Sequence, residues 1–114
     1  MESTLVSEYS IISNLRRTSS KGLFSCLSQH QLNDLALKYF GIYDNNKLVG
    51  YECPYSGKKI TSTEDIVLEH IIPISSGGGT TLFNCIPTSV EVNKVSEKGA
   101  KHLISWWLNS KYWD

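Results

Sequence analysis

Apolar and polar positions follow two different periods along this chain. Between Ser7 and Arg17, Ile11, Ile12 and Leu15 recur at the spacing of one helical face, and Thr18-Ser19-Ser20-Lys21-Gly22 follows as a polar connection. A second helix is predicted from Ser28, an N-cap residue type, through Leu32, Leu35, Ala36, Leu37 and Phe40 to Gly41, which suits a C-terminal cap; its apolar stripe should face the core. Asp44-Asn45-Asn46-Lys47 is turn chemistry between two short apolar pieces, Gly41–Tyr43 and Leu48–Tyr51, and Pro54-Tyr55-Ser56-Gly57 forms another turn. Downstream the period shortens. Ile66–Pro73 is short and β-branched, a strand ended by proline; Ser75–Thr81, with three consecutive glycines, is loop; Phe83–Pro87 is a second strand returning beside the first. Thr88-Ser89-Val90-Glu91 has the form of a capping box, so a helix should begin there. Gly99 ends or bends it, and Ala100–Tyr112 is a further helix with Leu103, Trp106 and Trp107 on its apolar side.

Composition narrows the class. With 114 residues, 40% of them hydrophobic, the chain can bury one modest core. No run approaches the roughly 18–20 consecutive apolar residues of a membrane span, and Met1–Arg17 lacks the charged start and apolar run of a signal peptide. The expected setting is cytoplasmic, without a membrane partner. Cys26, Cys53 and Cys85 are odd in number, widely spaced and free of any CxxC pair, which excludes a dense disulfide framework and predicts no structural zinc. Eleven basic and eleven acidic residues give a net charge of zero, so the chain lacks the overall bias of a broad electrostatic nucleic-acid binder. A local bias exists at Lys94, Lys98 and Lys101, spaced to share one helical face; taken alone, such a stripe is an ordinary solvated surface.

The sharpest chemical feature is Glu69-His70 inside the apolar strand Leu68–Ile72. Adjacent strand residues point to opposite faces, so the two cannot simply pair with each other. The plain alternative is a solvated glutamate beside a hydrogen-bonded, half-buried histidine. Asn84 at the second strand and Asn93 on the following helix change the weighing, because a hairpin with a helix packed across it can bring His70, Glu69 and Asn93 to one cleft. A carboxylate and an amide carbonyl are hard ligands suited to Mg²⁺, and a neutral histidine beside them can take a proton from water.

The run from Glu69 to Lys94, EHIIPISSGGGTTLFNCIPTSVEVNK, resembles the HNH endonuclease motif and its ββα-metal fold, in the variant with asparagine in the third position found in the HNH domain of RNA-guided CRISPR effectors. Cys53-Pro-Tyr-Ser-Gly-Lys-Lys-Ile60 is similar to that family's cysteine-containing lead-in, so the resemblance covers residues 51–98. It implies a nuclease core at 51–98; residues 1–50, expected as an N-terminal helical extension packing on that core, and the Trp-rich C-terminal helix expected at 99–114 fall outside the resemblance. It further implies that His70 is the general base, that Glu69 and Asn93 hold one Mg²⁺ or Mn²⁺ per active site, that Asn84 braces the glycine-rich loop through side-chain to backbone hydrogen bonds, and that Lys94 and Lys98 lie beside the phosphates. The substrate implied is DNA, cut to 5′-phosphate and 3′-hydroxyl ends. Many family members carry two CxxC pairs on a structural zinc; the corresponding places here hold Cys53 with Ser56 and Ser89 with Val92. Apolar packing must then replace the metal.

Other features are weaker. Gly77-Gly78-Gly79 lacks the lysine and helix of a phosphate-binding loop and is assigned to loop flexibility. His30 and His102 have no partner pattern, Cys85 belongs to an apolar strand, and Trp106, Trp107 and Trp113 favour packing over base stacking. Neutral charge places target choice elsewhere, in a homodimer, a larger parent chain or a complex, with phage defence as one setting. The rival reading is a catalytically idle ββα module that binds nucleic acid or protein.

Overall fold

Two serines open the two helices of the computed structural model, which describes residues 1–92. Ser7 is extended and its hydroxyl accepts the Ser10 amide at 3.2 Å, starting α1 (Glu8–Ser19). Glu8 in the first turn and Arg16 and Arg17 in the last complement the helix dipole. Ile11 faces inward while Ile12 is 41% exposed. The helix does not stop at Arg17 as the polar run predicts. It continues because Thr18 is fully buried and its hydroxyl donates back to the carbonyls of Asn14 and Leu15 at 3.0 and 3.1 Å.

Ser28 caps α2 (Gln29–Phe40) by accepting from the Gln31 amide. Its buried face is Leu32, Asn33, Ala36 and Leu37, whereas Leu35, predicted to face the core, is exposed. Asn33 takes the inward place because its side chain meets the Val6 backbone, accepting from the amide at 3.2 Å, while Gln29 donates to the Val6 carbonyl at 2.9 Å. These bonds pin the N-terminal segment, so Leu5 and Val6 join the core. Gly41 ends α2 in an extended conformation and passes directly into a strand.

That strand, β2 (Gly41–Asp44), pairs antiparallel with β3 (Lys47–Glu52). Asn45 and Asn46 both sit at positive φ, 52° and 65°, the geometry of a tight hairpin that asparagine tolerates. β3 crosses position 50, so the N-terminal region and the segment after it share one sheet. β4 (Lys59–Ile60) closes this three-stranded sheet, reached by a turn in which the Cys53 amide donates to the Lys58 carbonyl and the Gly57 amide to the Cys53 carbonyl.

β5 (Ile66–His70) pairs antiparallel with β7 (Cys85–Ser89), His70 opposite Cys85 and Glu69 opposite Ile86. Both strands differ from the predicted limits. β5 ends at His70 rather than at Pro73, because the Ile72 amide is taken by the Asn84 side chain and not by a strand partner. β7 starts two residues after Phe83 and runs through Thr88, so no helix begins at Thr88: its hydroxyl meets Cys53 Sγ at 3.1 Å, and the Glu91 amide is taken instead by the Ser89 hydroxyl. Within the predicted loop, β6 (Thr80–Thr81) pairs in parallel with β1 (Ser25–Cys26).

The fold is α+β, with two α-helices and three small sheets among the described residues. Tyr51 is at its centre, fully buried, its hydroxyl donating to the Pro87 carbonyl at 2.7 Å and its ring edge-on to Phe40 at 6.2 Å. No helix of the described residues is long and apolar enough to cross a membrane. Asn93, Lys94, Lys98 and Lys101, His102, the helix predicted over 100–112 and all three tryptophans lie outside the described residues.

Candidate functional site

Glu69 and His70 end β5, and both are buried, at 5% and 6% exposure. Since neighbouring strand residues face opposite ways, both faces of the hairpin are covered at this end. On the His70 side, Nε2 lies 2.8 Å from the hydroxyl of Thr80, which is itself fully buried and lies 3.3 Å from the Asn14 carbonyl of α1. The Glu69 carboxylate charge reaches Tyr55 and also Cys85, the residue opposite His70. Burial first, then Glu69, pushes the Tyr55 phenol well above its ordinary range. Burial likewise raises the Cys85 thiol to about 11, with Glu69 adding to the effect and a hydrogen bond at the Thr81 backbone opposing it.

Asn84 organises the loop between the strands. Its Oδ1 accepts the Ile72 amide at 2.8 Å, and its Nδ2 donates to the carbonyls of Ile72 and Gly79 at 3.1 and 2.8 Å. Its backbone carbonyl also accepts the Ile71 amide at 2.7 Å. One short side chain thus closes the two ends of a 14-residue excursion, directly beside His70. It sits just before β7 rather than in it.

The glycines answer to steric demands instead of flexibility. Gly77 caps the 3-10 turn Ile74–Ser76 at φ 92°, a left-handed conformation that favours glycine. At Gly78 a Cβ would stand 1.8 Å from the Ile72 carbonyl oxygen and 2.8 Å from Asn84 Nδ2. The loop can lie against the Asn84 amide only if that position has no side chain.

A second polar cluster lies on the turn before β4. Burial pushes the Cys53 thiol up, yet hydrogen bonds with the Ser56 and Thr88 side chains and with the Ser56 and Ser89 backbone outweigh it, leaving the thiol below its ordinary range. Val92, 1% exposed, belongs to the same core. Cys53 and Cys85 are buried and unbridged, and Cys26 is exposed.

Of the residues singled out from the sequence, Glu69, His70 and Asn84 come together at one end of the β5–β7 hairpin. Asn93, Lys94 and Lys98 lie outside the described residues. Among the described residues, no three His, Cys, Asp or Glu side chains converge as a metal-holding group. A divalent cation bound through one carboxylate and one amide, with water completing its shell, needs no such group. Sequence reasoning missed Thr80, whose only signal was a hydroxyl at the end of a glycine run, and the α1 carbonyl behind it.

The chain matches no family model, no curated protein and no solved structure.

Proposed function

We propose that this chain is a metal-dependent DNA endonuclease of the HNH type. The observation that carries the reading is the Asn84 clamp on Ile72 and Gly79, which fixes the loop leaving His70 and makes one asparagine responsible for the shape of the site. A glutamate, a histidine and an asparagine at one hairpin end, with residues 93–98 still to follow, form the N-terminal part of a ββα-metal core.

His70 acts as general base, taking a proton from the water that attacks the scissile phosphodiester. Asn84 acts through the loop and does not touch substrate; it is a positioning residue. Glu69 offers a carboxylate oxygen and Asn93 an amide oxygen, a hard donor set that suits Mg²⁺ or Mn²⁺. Bound there, the cation supplies charge stabilisation to the phosphate and the leaving oxygen. Lys94 and Lys98 attract the neighbouring phosphates. On this reading the cluster of Cys53 with Ser56, Thr88 and the Ser89 backbone stands in for the structural zinc that many members of the family carry. Here hydrogen bonds to one thiol and apolar packing take over that task. Net charge of zero assigns target selection to a second copy, a larger parent chain or a complex.

The test is supercoiled plasmid incubated with the protein in Mg²⁺, in Mn²⁺ or in EDTA, wild type beside His70→Ala. Metal-dependent nicking that disappears in a folded His70→Ala protein is the expected result. DNA binding without cleavage in any metal would replace the nuclease with an idle binding module.

A further inference from the structure

The contact between His70 and Thr80 has a direction that proton counting decides. Thr80 Oγ1 stands 2.8 Å from His70 Nε2 and 3.3 Å from the Asn14 carbonyl oxygen. A hydroxyl carries one proton, and a carbonyl can only accept. With the Thr80 proton directed to the Asn14 carbonyl, the proton between Thr80 and His70 comes from the imidazole. The Asn14 carbonyl also accepts from the Thr18 hydroxyl at 3.0 Å, so the end of α1 gathers two buried threonine hydroxyls onto one acceptor.

We infer that Thr80 is a positioning residue that holds His70 in the tautomer with the proton on Nε2, and that helix α1 is thereby part of the site. In the neutral ring this puts the lone pair on Nδ1, which on the nuclease reading is the nitrogen that takes the proton from water. Thr80 is well built for the task. Its side chain is fully buried, its amide donates to the Phe24 carbonyl at 2.8 Å, and it pairs with Ser25 in the parallel β1–β6 ladder. The residue before it, Gly79, is gripped by Asn84 through its carbonyl. Thr80 therefore cannot drift, and neither can the ring that donates to it. A segment outside the hairpin, 66 residues from Thr80 along the chain, thus sets the tautomer of the histidine at its end. The catalytic consequence rests on the nuclease reading; the tautomer does not.

The experiment is nitrogen NMR of the full chain with ¹⁵N-labelled histidine, near pH 8.5, where an ordinary imidazole is neutral. Ring-nitrogen shifts separate protonated from unprotonated nitrogens, and a His70→Gln sample identifies the His70 signals among the three histidines. Wild type and Thr80→Ser should both show His70 with Nε2 protonated, and Thr80→Val should show a mixture of tautomers. Plasmid nicking should fall about tenfold or more in Thr80→Val, part of the 10²–10⁴ that a positioned base contributes, and recover in Thr80→Ser. A wild-type ring protonated on Nδ1 overturns the inference, as does an unchanged tautomer in Thr80→Val. If Thr80→Val does not fold, wild type and Thr80→Ser decide: Nε2 protonation in both supports the relay, and Nδ1 protonation in either overturns it. An Nε2-protonated ring in a protein that cuts no DNA would leave the relay standing and remove the nuclease reading.

Discussion

At Gly78 the loop backbone touches the Ile72 carbonyl so closely that a methyl group has no room, whereas at Gly77 a Cβ would meet nothing within 4 Å and only the positive φ opposes it. The two neighbours therefore predict very different substitutions. Gly77→Ala should lower stability by about 1 kcal/mol, the penalty of a left-handed alanine. Gly78→Ala must push the loop off Asn84 and break bonds to Ile72 and Gly79, for a loss of roughly 2–4 kcal/mol. Urea midpoints of the two variants check the order, and equal losses would mean that the Asn84 clamp is not what closes the loop. The same residues show what the sequence could disclose of the site. Glu69 and His70 stand out because two ionisable groups interrupt an apolar strand, and Asn84 because its spacing from them follows a motif. Thr80 gave no such signal: its partners are an imidazole ten residues away and a carbonyl on a helix at the other end of the chain, and neither leaves a periodic trace.

Between elements, the joint that matters most is the one between the three-stranded sheet and the hairpin. The Tyr51 hydroxyl of β3 donates to the Pro87 carbonyl of β7, and both residues are fully buried. Tyr51→Phe keeps the ring against Phe40 and removes the donor, leaving a buried carbonyl without it, and should lower stability by about 1–3 kcal/mol. A calorimetric Tm below wild type by several degrees would confirm it; an unchanged Tm would show that water or relaxation satisfies Pro87. Elements with strong local chemistry were legible from sequence: the serine cap of α2, the turn at Asn45-Asn46, and the existence of the β5–β7 pair. Their edges were not, because tertiary partners move them. Buried Thr18 prolongs α1, the Asn84 side chain shortens β5, and Cys53 draws Thr88 into β7 and out of a capping box. β1 and β6, two residues each, are too short to carry any alternation, and only the fold pairs them.

Across the whole molecule, one core holds several weak acids away from water, and this fixes how stability must change in alkali. Burial raises the Cys85 thiol from an ordinary value near 9 to about 11 and lifts the Tyr51 and Tyr55 phenols well above their usual range. A group with a raised folded value keeps its proton in the native state after the unfolded chain has lost its own. The unfolded state then binds fewer protons, and stability falls as pH rises. For Cys85 the fall begins as pH passes 9 and reaches roughly 2 kcal/mol near pH 11, and the two phenols extend it above pH 10. Cys53 works in the opposite sense, because its folded value is lowered. Its contribution grows with pH only until the unfolded thiol also ionises near 9, so it cannot offset the decline beyond that point. Thermal melts should therefore show Tm falling steadily between about pH 9 and pH 11. Cys85→Ala, compared with its own Tm at neutral pH, should flatten the first part of that descent, while Cys53→Ser should leave it in place. A Tm unchanged across this range would mean that water reaches these groups in the folded protein, and with it the dry surroundings that Glu69 shares with Tyr55 and Cys85.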